Sequence, residues 1–518
     1  MAAVVLAFAL LVAVANTALF YGLTYGDAAI HFVYAKNFRE YGFFHYNTLG
    51  PSSGSSSPLW TILLGLPFLL PDPEPAVRGF SILVFFAGAP LAYYAARSRT
   101  GSVRSGLWGA SIWLILFPAH ELTAVSFETV FAAALVLAGA AIALAQSERD
   151  ASNTEVLALG LLVGLLPVTR VELALVAGAI FSGTAARHPR RAAPMLLGAL
   201  ATGMPYFVWS LLATGSAIPQ SASGRLVGDR HLAANATALA QGLLYLAAPV
   251  GVILLAGSAV WFIPRAGRMR VVWLVTAAYL LTLVLTGPIP FYLLRYALPV
   301  AIPAAVLLSA DVLERGRSAR NRRVRNATAW LFPLFMAAYG AGTVKLAYGF
   351  HRVLVPSLTW NELFEKSLVT RLNRIAGPDE RVLVYEIQTQ YHLRAVALSL
   401  DGIVGGQVLP YLRAGSDLSD FLWEYRPALW VANDAIHTRR EFEHSILRKV
   451  HSAKLRVGES TSGRGMTFTK LLERRGEPPP SVAGWRAVYR IDYGAVSPHR
   501  GRPESQHAAA THSTSPAR

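Results

Sequence analysis

Gly26-Asp27-Ala28-Ala29-Ile30-His31-Phe32-Val33-Tyr34-Ala35-Lys36-Asn37 follows a uniformly apolar block at residues 2–22 and leads through Gly42-Phe43-Phe44 and a serine-rich loop, 52–57, into Ser57-Pro58-Leu59-Trp60. An acid just past one apolar block, at the head of an amphipathic segment, places a carboxylate at a bilayer surface. Helical spacing sets His31 one turn above Asp27 and carries Phe32, Ala35 and Phe38 toward lipid. Asp27 also has the chemistry of a helix N-cap. The serine run reads as a flexible polar loop.

Working outward, apolar blocks recur at 79–96, 106–119, 122–145, 154–169, 173–186, 193–213, 239–263, 271–287, 289–311 and 328–347. Apolar residues make up 53% of the chain and charged residues 15%, too much apolar surface in too many separate blocks for a soluble core. The fold class is therefore an α-helical polytopic membrane protein with about 11–12 transmembrane helices. The block at 58–70, between Pro58 and Pro71-Asp72-Pro73-Glu74-Pro75, is short for a crossing and reads as a re-entrant or short tilted helix. Residues 1–20 resemble a signal peptide lacking a basic start and are read as a retained first span.

The formal charge of +17 sits mostly in short arginine clusters and in the tail. Arg97/Arg99/Arg104, Arg187/Arg190/Arg191, Arg265/Arg268/Arg270 and the 315–325 cluster are assigned to the cytoplasm by the positive-inside rule. The turns near 120–128, 170–172, 216–238 and 287–290, and everything after 348, then fall outside. Asp27, Glu128 and Glu172 converge on that outer face. No basic stripe is interleaved with aromatic residues, which argues against nucleic acid as a partner. The chain has no cysteine, which excludes disulfides, thiolate zinc sites and Cys nucleophiles.

Three regions are expected: a transmembrane catalytic domain at 1–347 with its first outer loop at 23–57, an extracytoplasmic α/β domain at 348–496, and a disordered tail at 497–518. In the second, Asn361–Ile375 is an amphipathic helix with Leu363, Phe364, Leu368, Leu372 and Ile375 on one face. Strands are expected at Arg381–Tyr385, Ala395–Leu400 and Ala428–Val431, with a helix at Leu418–Tyr425.

Glu128 opens an otherwise uncharged span, and Thr169-Arg170-Val171-Glu172 forms a turn between two apolar blocks. Arg170 and Glu172 suit interfacial snorkelling or mutual pairing as well as a site. Arg295, inside Phe291-Tyr292-Leu293-Leu294-Arg295-Tyr296-Ala297-Leu298-Pro299, needs an anion: Glu128, Glu172 or a ligand phosphate.

Taken in order, these pieces resemble the polytopic GT-C glycosyltransferases that use polyprenyl-phosphate sugars, and within them the actinobacterial arabinofuranosyltransferase and mannosyltransferase-like group. The resemblance rests on Gly26-Asp27-Ala28-Ala29-Ile30, Tyr34-Ala35-Lys36-Asn37, Gly42-Phe43-Phe44 and Ser57-Pro58-Leu59-Trp60 in the first loop. Further along it rests on Ser126-Phe127-Glu128-Thr129, Thr169-Arg170-Val171-Glu172, Thr214-Gly215-Ser216-Ala217-Ile218-Pro219-Gln220, Arg295-Tyr296-Ala297-Leu298-Pro299 and Asp401-Gly402-Ile403-Val404-Gly405. Gly26 stands where the group has the first Asp of a pair, Val171 where it has Pro, and Gln220 where it has Asn.

The resemblance implies transfer of a sugar, arabinofuranose or mannose, from a polyprenyl-phosphate carrier in the plasma membrane to an extracytoplasmic cell-envelope glycan or glycolipid, with inversion. Asp27 is the implied general base, and Lys36, Glu128, Arg170, Glu172 and Arg295 bind the donor phosphate and sugar. His31, Tyr34 and His45 line the acceptor path. No cofactor is implied; with Gly26 in place of the first acid no metal ligand is assigned, and divalent-cation dependence stays open. An ion-coupled transporter or lipid flippase, and a non-catalytic glycan-binding scaffold, are the readings from other classes.

Overall fold

Long apolar runs become helices here because a helix satisfies every backbone N–H and C=O internally. The computed structural model describes residues 1–23, 28–42, 44–147, 149–225, 232–261, 267–286, 293–318, 322–385, 387–400, 407–433, 442–473 and 485–494. The chain divides into two compact units: Met1–Leu368 with Ile387–His392 and Asp401–Gly406, and Val369–Glu386 with Leu393–Leu400 and Gln407–Arg518.

The first unit opens with α1 (Ala2–Phe20), α2 (Ala28–Tyr41), the hairpin β1 (His45–Asn47) and β2 (Gly50–Pro51), and the short α3 (Pro58–Leu64). It continues through α4 (Pro73–Thr100), α5 (Val103–Ile115), α6 (Phe117–Ala124), α7 (Thr129–Gln146), α8 (Asn153–Thr169), α9 (Ala174–Arg187) and α10 (Ala192–Thr214). Then come α11 (Gln220–Arg225), α12 (Leu232–Gln241), α13 (Ala248–Trp261), α14 (Gly267–Thr286), α15 (Leu293–Ser318) and α16 (Arg322–Ile375), whose last turns belong to the second unit.

Among the described residues five helices are long and apolar enough to cross a membrane: α1, α4, α7, the Pro189–Thr214 run containing α10, and Leu293–Glu314 of α15. The chain is a multi-pass membrane protein. Large apolar side chains such as Val4, Leu197, Leu212 and Trp330 are accordingly exposed, as lipid contact requires. In α15 89% of the apolar window is buried, so this helix is the axis on which α4, α5, α7, α13 and α14 pack.

Glycines set the closest helix approach. A Cβ on Gly160 or Gly164 of α8 would sit 2.2 Å from the carbonyl oxygen of Met195 or Ala199, and one on Gly198 2.4 Å from that of Leu157. Thr202 Oγ1 also donates to the Leu161 carbonyl at 2.8 Å. Small residues at both faces let the backbones of α8 and α10 touch, the usual basis of association where lipid removes the hydrophobic drive.

The block at 58–70 is short, as expected: α3 followed by a 3₁₀ turn, Pro67–Leu69, about 18 Å in all and less than a ~30 Å hydrocarbon core. Other expectations are corrected. The block at 106–119 breaks at Leu116, where Pro118 starts the separate α6. The block at 239–263 bends by 107° after a π turn, Gly242–Leu246. Pro249 favours a fresh helix start there, and the Tyr339 hydroxyl donates to the stranded Leu246 carbonyl at 2.5 Å. The amphipathic segment 361–375 is the end of the unbroken α16, which runs until Gly377-Pro378. Leu368 and Leu372 are buried as expected, but Ile375 is exposed and Ala376 is buried instead.

The second unit is a six-stranded mixed sheet in the order β4-β3-β5-β8-β7-β6. β3 (Arg381–Val384) lies parallel to β4 (Val396–Ser399) and β5 (Leu429–Asn433), close to where the sequence placed strands. β6 (Ser460–Gly463), β7 (Met466–Glu473) and β8 (Trp485–Tyr493) extend it antiparallel. Their alternation is confined to the later part of the unit and was not anticipated. Trp430 stacks on Tyr489 across β5 and β8 with centroids 4.9 Å apart. The proposed tail from 497 lies outside the described residues.

Candidate active site

Glu128 caps the start of α7 and is fully buried. A buried carboxylate is costly unless cations and hydrogen bonds surround it. Here Arg170 Nη1 donates to Glu128 Oε1, and His31 Nε2 lies 3.1 Å from Glu128 Oε2. Arg170 closes α8 as its C-cap, and Glu172 follows in the 3₁₀ turn Val171–Leu173. Its Nε and Nη2 donate to Glu172 Oε1 at 3.2 and 2.8 Å. One guanidinium thus joins two carboxylates from different helices.

Aromatic faces complete the cluster. Arg170 stacks over the Tyr296 ring at 4.1 Å, and Arg295 over the rings of Phe127 at 4.5 Å and Tyr296 at 5.0 Å. Arg295 Nη2 donates to the Tyr296 hydroxyl at 3.0 Å, and the Tyr279 hydroxyl anchors the Tyr296 carbonyl at 2.9 Å. Tyr296 is therefore in cation–π contact with both guanidiniums, which helps offset their mutual repulsion. Two carboxylates balance two guanidiniums, and Arg295 also acts electrostatically on Glu128. At these depths charge is tolerated because it is matched.

The first loop folds onto this cluster. In α2, Phe32 and Ala35 are buried against Trp60, Leu64, Phe68 and Val77, not turned to lipid. That leaves His31 on the face toward Glu128, with Nδ1 3.4 Å from Thr61 Oγ1, itself 2.8 Å from Ser55 Oγ. The serine run is likewise not a loose loop: Ser52, Ser53, Ser55 and Ser57 are buried. Ser53 N donates to Gln220 Oε1 at 3.2 Å and Gln220 N to Ser53 Oγ at 3.1 Å, a reciprocal pair joining residues far apart in sequence. Trp60 Nε1 donates to the carbonyl of Ser126, which has a positive φ of 67° just before Phe127 and Glu128.

Tyr34, fully buried, bonds Ser52 Oγ at 2.6 Å and accepts from Gly54 N at 3.0 Å, holding the serine loop. Asn37 Nδ2 donates to the His45 and Tyr46 carbonyls at 3.1 Å, tying the hairpin back to α2. His45 Nδ1 lies 2.8 Å from the Gly50 carbonyl and 3.2 Å from that of Asn47, and burial lowers its pKa so that the ring is neutral near pH 7.

Of the residues read from sequence, the fold brings His31, Glu128, Arg170, Glu172 and Arg295 into one cluster. Tyr34 and His45 belong to the neighbouring loop, Lys36 is exposed at the far side of α2 from the buried His31 turn, and Asp27 lies outside the described residues, immediately before Ala28 at the start of α2. Tyr296, Thr61, Ser55 and Gln220 were not singled out as site residues. Tyr296 and Gln220 lay inside quoted motifs, whereas Ser55 and Thr61 carried no signal beyond a polar run beside Trp60. Among the described residues no group of three or more His, Asp or Glu is placed to hold a metal ion.

No protein-family model matches the chain, and no characterised protein matches it in sequence. Solved structures do match in fold. ArnT from Cupriavidus metallidurans bound to undecaprenyl phosphate is 14% identical with a TM-score of 0.61, over 96% of this chain and 98% of that one. The archaeal oligosaccharyltransferase AglB from Archaeoglobus fulgidus, in complex with an inhibitory peptide and a dolichol-phosphate, is 11% identical with a TM-score of 0.52, over 84% of this chain and 70% of that one. The chain has the GT-C-type fold of these proteins, a helical membrane unit followed by a C-terminal sheet unit.

Proposed function

We propose that this protein is a membrane glycosyltransferase that takes a sugar from a polyprenyl-phosphate carrier and gives it to an acceptor hydroxyl on a cell-envelope glycan or glycolipid outside the cytoplasm. The observation that carries the reading is the buried Arg295–Tyr296–Arg170–Glu128–His31 cluster under the first loop, in a fold shared along its whole length with a protein crystallised with undecaprenyl phosphate. A lipid phosphate leaving group needs fixed cations at the membrane surface, and guanidiniums held by carboxylates and ring faces supply them without reorganisation.

In the proposed step the acceptor oxygen attacks the anomeric carbon while the bond from that carbon to the phosphate oxygen breaks. The acceptor proton passes to the Asp27 carboxylate, and the electron pair leaves with the polyprenyl phosphate. Inversion follows from a single displacement. Arg295, held by its faces between Phe127 and Tyr296, takes the leaving phosphate. Arg170, committed to Glu128 and Glu172, sets the position of Tyr296 and the field at the site. Lys36 serves the donor at the exposed surface. His31, Tyr34 and His45 shape the acceptor side through Glu128, the serine loop and the hairpin. The reaction is assigned no resident metal or cofactor. Arabinofuranose or mannose, as in the actinobacterial group the motifs resemble, is the proposed sugar, and the second unit is proposed to hold the acceptor.

The test is transfer from radiolabelled polyprenyl-phosphate pentoses and hexoses to envelope glycan fragments by purified wild type, Asp27→Asn and Arg295→Ala. Transfer that requires both residues supports the reading. Carrier binding with no turnover from any donor, or transport of the carrier without transfer, overturns it.

A further inference from the structure

At the opposite ends of the same helices, α7, α9, α14 and α15 part to form an open crevice of about 910 Å³, a volume that includes its solvent side. It is lined mostly by aliphatic groups such as Val136, Ile180, Val275 and Leu307, with Thr276 of α14 the polar side chain deeper along the wall, and the other polar side chains lie where α7 and α9 end, at Gln146, Ser147, Thr184, Arg187, His188 and Arg191. Its walls run from Val136 to Ser147 and from Val176 to Arg187, roughly 11 residues each or about 16 Å. That is the depth of one leaflet of a ~30 Å hydrocarbon core.

The mouth is cationic in a specific way. Arg191 is buried and committed, donating to the Gln146 carbonyl at 2.7 Å and the Arg149 carbonyl at 3.0 Å, with Asp150 3.7 Å away. Arg187 is exposed and makes no ion pair among the described residues. A fixed cation thus seals the end of α7, and a second, accessible one stands over an apolar slot one leaflet deep.

We infer that this crevice is a phospholipid site, separate from the cluster around Glu128, that takes one acyl chain between α7, α9, α14 and α15 and an anionic headgroup at Arg187 and His188. Basic pockets between membrane helices are suited to anionic headgroups, each exposed cation contributing about fivefold in affinity. The site does not depend on the sugar-transfer reading.

Native mass spectrometry of the full-length protein in micelles, with phosphatidylglycerol and phosphatidylcholine of identical chains in competition, tests it. Wild type should retain phosphatidylglycerol in preference. Arg187→Ala should cut that preference about fivefold. Gly183→Leu should lower occupancy by both lipids; Gly183 lines the crevice and an added Cβ meets nothing within 4 Å, so its side chain fills the slot without disturbing the helix. Equal retention of the two lipids by wild type, variants that bind as wild type does, or displacement of the phospholipid by equimolar polyprenyl phosphate would each overturn the inference.

Discussion

Arg170 holds two carboxylates with no water-exposed surface of its own, so its removal leaves Glu128 buried with, among the described residues, His31 and Arg295 to offset its charge. Breaking a buried pair on one side costs about 3–5 kcal/mol, whereas removing both charges costs far less. Arg170→Met should therefore lower the melting temperature in detergent sharply, and Glu128→Gln in the same chain should restore part of the loss; additive losses would show that the pair does not act as a unit. Arg295→Lys is the sharper test of chemistry. A lysine keeps the charge but cannot stack between Phe127 and Tyr296. Turnover should fall about 10²–10³-fold, as when one preorganised donor to a developing anion is lost, with the melting temperature little changed; wild-type turnover would remove Arg295 from the donor site. At this scale the sequence offered the residue types and the local Arg170–Glu172 pairing, and missed the long-range partners. Glu128 and Arg170 are 42 residues apart and His31 and Glu128 97 apart, separations that no local pattern encodes.

Among the elements, the seam between α8 and α10 and the loop before α3 carry the clearest consequences. Gly160→Leu must displace the Met195 backbone, because even a Cβ would lie 2.2 Å from its carbonyl oxygen. Parting α8 from α10 also shifts Arg170 at the end of α8, so the variant should lose at least about 1–3 kcal/mol of stability and, with it, transfer; a variant as stable as wild type would mean that the helices do not meet there. Gln220→Ala removes the bond from Ser53 N to Gln220 Oε1, keeps the backbone bond from Gln220 N to Ser53 Oγ, and should cost about 1 kcal/mol. Its signature is local: faster amide exchange over 52–57 with the membrane helices unchanged. Helix positions were legible because apolar blocks are read locally. The breaks at Leu116 and Ala247 were not, although Pro118 and Pro249 mark each, since a proline near a block's end also suits a continuing kinked span.

For the molecule as a whole, the arginine clusters predict which side each end faces. Because the chain has no cysteine, single introduced thiols report orientation directly. Arg190→Cys, exposed beside α9, should react with an impermeant maleimide only after cells are permeabilised, and Ser462→Cys, exposed on β6, should react in intact cells; the reverse pattern would invert the proposed topology. What the sequence determined by itself is the membrane class, most helix positions, the first strands of the second unit and the residue types of the site, because hydrophobic burial and helix formation follow local composition. What only the tertiary structure decided is that the serine run is a buried strut, that Phe32 faces protein, and that Tyr296 contacts two arginines. Those outcomes depend on contacts between segments far apart in sequence, and in a low-dielectric interior a shift of one helix turn changes which charges are neutralised.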